Sequence, residues 1–159
     1  MESEILPDIM KDKDNNIIIP KKYEKLVPSI ADSISAGLVC HLNMDTLEVE
    51  EYQANIDIEE WEDVTGEKFT PKYMEWKRVL FFEPMDSPAS FRIMEDFASQ
   101  IDNETISNRL MDILSRKKPF AHFNDYIHNS DCKEAWFAYK KTAYENQVRE
   151  IISNELNRL

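Results

Sequence analysis

Hydrophobic spacing changes character near the middle of the chain. Up to about residue 84 apolar residues come in short, β-branched or alternating runs; beyond it they recur every three or four positions. The first pattern is that of strands, the second that of amphipathic helices. "LVCHL" and "LEVEEY", residues 38–42 and 47–52, flank "NMDT" and predict an antiparallel hairpin. In the second run Leu47, Val49 and Glu51 face one side, and Glu48, Glu50 and Tyr52 the other. "RVLFFEP" predicts a third strand, its unbroken apolar run implying burial on both faces. "NNIIIPKKY" predicts an edge strand ended by Pro20.

The helices carry their own start and stop signals. "VPSIADSISAGL" has Pro28 in its first turn and Gly37 to close it. "DIEEWEDVTGEKF" has Asp57 as cap, Glu60 placed to answer it and Gly66 at its end. "TPKYMEWK" predicts a helical turn with Thr70 as cap and Pro71 in first position. In "FFEPMDSPASFRIMEDF" a strand ends at Pro84, Ser87 caps and Pro88 starts a helix. Phe91, Met94, Phe97, Ala98 and Ile101 then form one apolar stripe; Ile106, Leu110, Ile113 and Leu114 form another. Phe120, Phe123 and Ile127 align after Pro119. The last helix opens with Asp131 as cap and Glu134 reaching back, and Trp136, Tyr139 or Phe137, Tyr144, Val148, Ile151, Ile152 and Leu159 supply its long apolar face.

These elements predict an α+β fold, with a small antiparallel β-sheet in the N-terminal half packed against a C-terminal helical half. One domain is expected over residues 1–159, with a mobile end over 1–16, a β-rich part over 17–84 and a helical part over 85–159. No repeat or linker marks a boundary, and 159 residues suit one core.

Composition narrows the function. At 42% hydrophobic residues the chain is not of disordered type, and a formal charge of −12 disfavours nucleic acid and anionic lipid as partners. With only 2 glycines, neither a Walker loop nor a Rossmann fingerprint can be built. Cys40 and Cys132 form no CxxC motif and read as reduced thiols. "MESEILPDIMKDKDNN" has no basic start followed by an apolar core, so no secretory signal is expected, and no apolar run nears the roughly 20 residues that span a bilayer. The expected location is the cytoplasm, with no membrane association.

Candidate chemistry is sparse. Strand, turn and helix around Ser87 could frame a nucleophile, but no base and no flanking glycines accompany it. Asp86 and Glu83 would repel an anion there. His122, His128 and Cys132 are metal-capable types at the wrong spacing. Cys40 and His41 alternate across a strand, so they point to opposite faces. Asp12, Asp14 and Asn16 imitate a calcium loop, yet Ile17 and Tyr23 stand where glycine and glutamate belong. Glu59, Glu60, Glu62, Asp63 and Glu67 surround Trp61; a solvated face with the tryptophan turned inward is the commoner reading, binding of a cation or a basic partner the sharper one. Glu95 and Asp96 are adjacent on a helix and diverge. Arg116, Lys117 and Lys118 precede aromatics, which reads as a helix end followed by core. No catalytic, cofactor-binding or metal residue is assigned and no cofactor is expected. The candidate partner surface is Lys117, Lys118, His122, Asn124 and His128.

The run from "FFEPMDSPASFRIMEDF" to "KEAWFAYKK" resembles the bacterial uncharacterised protein family 0158, with its strand ending in proline, "DS" turn, "SFRIMEDF" helix and "WFAF"-like start of the last helix. The matching residues are Asp86, Ser87, Phe91, Met94, Phe97, Leu110, Phe120, Phe123, Asp125, Trp136 and Phe137. The family's basic, glycine-containing junction is replaced here by Lys118-Pro119 with Ala121, His122 and Asn124. The resemblance implies one α+β domain and no activity, cofactor or catalytic set.

The expected function is that of a small acidic interaction or regulatory module without catalytic activity, bound to an unknown protein partner, with a homodimer through exposed aromatics as an open possibility. Two alternatives stand beside it. One is a hydrolytic or metal-assisted enzyme whose carboxylates and histidines come together from distant segments. The other is an acidic mimic of nucleic acid, which requires the negative charge to be concentrated on one face.

Overall fold

The computed structural model describes residues 17–158. The fold is α+β, and the chain divides into two compact units: the residues up to Pro84 together with those from Tyr144 onward, and Met85–Ala143.

The first unit is built on a three-stranded antiparallel sheet. Strand β1 (Leu38–Asn43) lies in the middle, paired with β2 (Val49–Gln53) on one edge and β3 (Val79–Phe82) on the other. Cys40 stands opposite Glu51 and Phe82, and His41 opposite Glu50 and Phe81. The hairpin turn is fixed by Asn43, whose buried Oδ1 accepts from the amides of Asp45 (2.9 Å) and Thr46 (3.1 Å). Because β2 and β3 both run against β1, they run in the same sense, and residues 54–78 must cross the sheet to join them. That crossing holds helix α3 (Ile58–Thr65) and a 3-10 turn (Lys72–Glu75) packed on β1.

Ahead of the sheet stand α1 (Lys21–Glu24) and α2 (Val27–Ser35), and α2 packs on β1. Val27, Ile30, Ala31 and Ile34 on α2 are buried, as are Cys40, Leu42, Leu80 and Phe82 on one sheet face. The last helix, α7 (Lys133–Asn157), adds buried Val148 and Ile152 to this unit. Arg149 on α7 makes a forked contact with Glu24 on α1, its Nη2 donating at 2.8 Å and its Nε at 3.1 Å. This fixes two segments far apart in sequence with planar, directional bonds.

The second unit is helical: α4 (Ser87–Gln100), α5 (Glu104–Leu114), α6 (Pro119–His128) and the first part of α7. Trp136 is buried against Phe97 (ring centroids 5.2 Å) and Phe123 (5.1 Å), within a core of Met94, Ala98, Leu110, Ile113, Leu114 and Ile127. The Ser107 hydroxyl donates to the Ala98 carbonyl at 2.7 Å and ties α5 to α4. No helix among the described residues is long and apolar enough to cross a membrane.

The first hairpin strand, the stripes of α4, α5 and α6, and the closing positions of Gly37 and Gly66 stand where the sequence pattern puts them, while the second strand begins at Val49 and leaves Leu47 in the turn at φ 71°. Asp57 caps α3 by accepting the Glu60 amide at 3.0 Å. Other expectations are corrected. Residues 17–19 form no strand; the proline after them begins a helical turn, the Pro20 carbonyl accepting from Tyr23 and Glu24. Asp86, not Ser87, caps α4, accepting from Ala89 at 2.9 Å; the capping oxygen must sit outside the first turn that Ser87 and Pro88 already occupy. The turn after Thr70 is 3-10, with no side-chain cap. Helix α7 begins at Lys133, beyond Asp131. The mobile end over 1–16, the calcium-loop imitation at Asp12, Asp14 and Asn16, and Leu159 lie outside the described residues.

The third strand is the largest correction. Phe82 is fully buried, but its neighbour Phe81 is 50% exposed, because among the described residues of this unit one sheet face is covered by α2 and the other by the thin crossing segment. The two phenylalanines therefore separate cleanly in a denaturation experiment. Phe82→Ala should lower the unfolding free energy by about 3–5 kcal/mol, through lost burial and a cavity. Phe81→Ala should lower it by about 1 kcal/mol or less. Equal losses would show that the strand is covered on both faces.

Candidate functional site

Strand alternation turns Cys40 and His41 to opposite faces of the sheet, and each face assembles its own polar group. On the α2 side the Ser33 hydroxyl donates to the Glu51 carboxylate, with the Cys40 thiol 3.9 Å from the same oxygen. Burial pushes the Cys40 thiol up to about 11, and the negative charge of Glu51 adds to the shift. A thiol held protonated in this way is a poor nucleophile.

The other face carries the more distinctive arrangement. His41 is only 7% exposed. Its ring lies 4.2 Å from that of Tyr73, 4.5 Å from Phe81 and 5.1 Å from Tyr52, centroid to centroid. Tyr52 continues to Phe69 at 5.5 Å, and Phe69 to Trp61 at 5.4 Å. The crossing segment thus lays Trp61, Phe69 and Tyr73 over a sheet face that already presents His41, Tyr52 and Phe81. These rings come from four separate stretches of sequence.

A hydrogen-bond relay runs through the cluster. The Tyr52 hydroxyl donates to Glu50 Oε1 at 2.9 Å and lies 2.8 Å from His41 Nδ1. Glu50 also accepts the Lys72 amide at 2.8 Å and the Tyr73 amide at 3.2 Å, which anchors the 3-10 turn to β2. The one phenolic proton is committed to Glu50, so His41 Nδ1 must be the donor to Tyr52. In the neutral imidazole this leaves Nε2 with a bare lone pair, and that atom has no hydrogen-bond partner among the described residues. Burial holds His41 below its ordinary value, against the raising pull of Glu50 and Glu83. Burial, with the bond to Glu50 and its charge, lifts the Tyr52 phenol well above its usual range. The relay is therefore a neutral imidazole and a neutral phenol ending on a carboxylate.

Charge is also segregated. Residues 45–67 contain ten Asp and Glu and no Lys or Arg, whereas the rest of the chain holds 21 acidic against 19 basic residues. Among these ten, Glu48 pairs with Lys72 (3.1 Å) and Asp45 with Arg78 (3.4 Å). Glu59, Glu60 and Asp63 on α3 are exposed and form no ion pair among the described residues.

Lys117, Lys118, His122, Asn124 and His128 are all exposed, at the start of α6 and along it. Asn124 and His128 share a helical face, and His122 lies on another. The His128 ring approaches Phe137 (6.2 Å), which is itself 47% exposed. Neither His122 nor His128 forms an ion pair, and no three His, Cys, Asp or Glu side chains make a metal-holding group, among the described residues. Both cysteines are free. Sequence alternation places Glu50 and Tyr52 on one side, but their meeting with His41 depends on hairpin register. That register is set by the Asn43 turn and is not visible in composition or spacing.

The lowered value of His41 gives a pH dependence with a definite sign. Between its ordinary value of 6.5 and the lower folded value, the unfolded chain binds a proton that the folded chain refuses. Stability from this group is complete above about 6.5 and is lost as pH falls through the window below it. In urea titrations from about pH 7 to about pH 5.5, the midpoint should fall, and His41→Gln should flatten that fall. A wild-type and variant falling in parallel would show that His41 is not the group responsible.

Comparison with known proteins bears on the C-terminal part. No curated protein and no solved structure matches the chain. The model of the uncharacterised protein family (UPF0158) matches residues 72–157. The match opens at the 3-10 turn and takes in β3, α4, α5, α6 and α7, leaving the acidic segment 45–67 outside it. It covers more than half of the 159 residues, and the chain belongs to this uncharacterised family.

Proposed function

We propose that the protein is a non-catalytic interaction module that engages a basic region of another protein. The observation that carries this reading is the segregation of charge. Residues 45–67 carry ten carboxylates and no Lys or Arg, with Glu59, Glu60 and Asp63 exposed on α3, while the remainder of the chain is nearly balanced. Such a charge distribution accelerates encounter with a positive partner and repels polyanions. The cytoplasm is the proposed setting, with the two free thiols in keeping with it. A second contact is proposed at Lys117, Lys118, His122, Asn124 and His128, beside the half-exposed Phe137. The same charge segregation favours a narrower version of the reading, in which the acidic segment takes the place of a nucleic-acid backbone in a basic groove.

The test is crosslinking capture from the native cytoplasm, with a charge-matched acidic protein as control. The triple variant Glu59→Gln, Glu60→Gln, Asp63→Asn should lose most of a salt-sensitive captured partner, and that partner should be basic. Alanine at Lys117, Lys118, His122, Asn124 and His128 should weaken capture less steeply with salt. Displacement of the partner by double-stranded DNA would select the mimic version. Capture that neither set of substitutions alters would overturn the reading.

A further inference from the structure

We propose that the His41 face of the sheet is the point where an arginine side chain of the basic partner docks; this rests on the interaction reading above. Three features converge there. The first is aromatic surface that the fold leaves open: Phe81 is 50% exposed, and Tyr52, Tyr73, Phe69 and Trp61 are only half-buried. Among the described residues the layer over these rings is a single crossing segment. The second is negative charge that acts on the same place. The Glu50 carboxylate ends the relay, and the charge of Glu83 reaches His41. The third is the acceptor Nε2 of His41, a side chain left only 7% exposed, whose ring is held by the Tyr52 bond and whose Nε2 has no partner among the described residues. A buried polar atom left unmatched calls for a ligand or a reason.

A guanidinium answers all three. Its plane stacks on aromatic faces, its charge is balanced by carboxylates, and its N–H groups donate to an imidazole lone pair. An ammonium supplies the charge but not the stacked plane, and it gives up a tighter hydration shell. An anion would meet Glu50 and Glu83, and an apolar side chain would leave Nε2 unmatched. Because the hydroxyl proton of Tyr52 is committed to Glu50, His41 presents an acceptor rather than a competing cation. The adjoining segment 45–67 has no basic residue, and the chain's own Lys72 and Arg78 form their ion pairs with Glu48 and Asp45, which leaves the α3 carboxylates to attract further cationic residues of the same partner segment.

The experiment titrates the full chain with fluorescein-labelled nona-arginine and, separately, nona-lysine, at low and at near-physiological salt. Wild type should bind the arginine peptide more tightly than the lysine peptide by about fivefold. Phe81→Ala, at an exposed position, should remove most of that preference, and His41→Gln should do the same if its melting curve shows that it folds. The α3 triple variant should weaken both peptides together and leave the preference intact. Equal binding of the two peptides, unaffected by Phe81→Ala, would overturn the arginine site while leaving an acidic interaction surface standing. Absence of binding to either peptide would overturn both.

Discussion

Strand β1 is hydrogen-bonded along both edges, and most of the first unit follows from that. A central strand of an antiparallel three-stranded sheet forces its two neighbours to run in the same sense. The chain must then cross a face of the sheet to get from one to the other. It does so with a short helix and a 3-10 turn rather than a long amphipathic helix, so one face is sealed by α2 and the other is only thinly covered. The contrast between buried Phe82 and open Phe81, and between inert Cys40 and the His41 cluster, comes from this asymmetry.

Legibility in the sequence follows the range of the interactions involved. Helix stripes such as Phe91, Met94, Phe97 and Ala98 are local, repeat with the helix period and place the core of the second unit directly. Caps at Asp57 and Gly66 are equally local. The misplacements are of two kinds. Asp86 against Ser87 is a choice between two capable oxygens a residue apart, which only backbone geometry resolves. The assignment of β3 as covered on both faces failed because "VLFF" has no polar position to betray an open side, and cover is a property of topology.

The His41 site is the clearest case of what one-dimensional reading misses. Glu50 and Tyr52 are correctly paired by strand period, yet each looks like an ordinary half-exposed residue. His41 sits in an apolar run where a satisfied core histidine is the natural expectation. What joins them is the register His41 opposite Glu50, fixed by the turn at Asn43, and the arrival of Tyr73 from the far end of the crossing. The family match starts at residue 72, so His41, Glu50, Tyr52, Trp61 and Phe69 lie outside it while Tyr73 and Phe81 lie within it.

Solubility does not account for how the charge is arranged. A soluble surface is served by mixed signs, and a net charge of −12 could be spread over the whole chain. Helix α3 concentrates it instead, and at a cost. Glu59 and Glu60 suit the N-terminal dipole, but Asp63 lies nearer the C-terminal end, where no basic residue answers it. Glu59 and Asp63 are spaced four apart, so like charges repel along the helix. The helix buries no residue and is held by its Asp57 cap, the Gly66 turn, the Glu62 bond to the Phe69 amide and the Trp61–Phe69 ring contact. A weakly anchored helix that retains unfavourable charges is poorly optimised for stability. Its composition makes physical sense if the repulsion is relieved when a positive chain lies beside it, and the adjoining aromatic face gives that chain somewhere to settle.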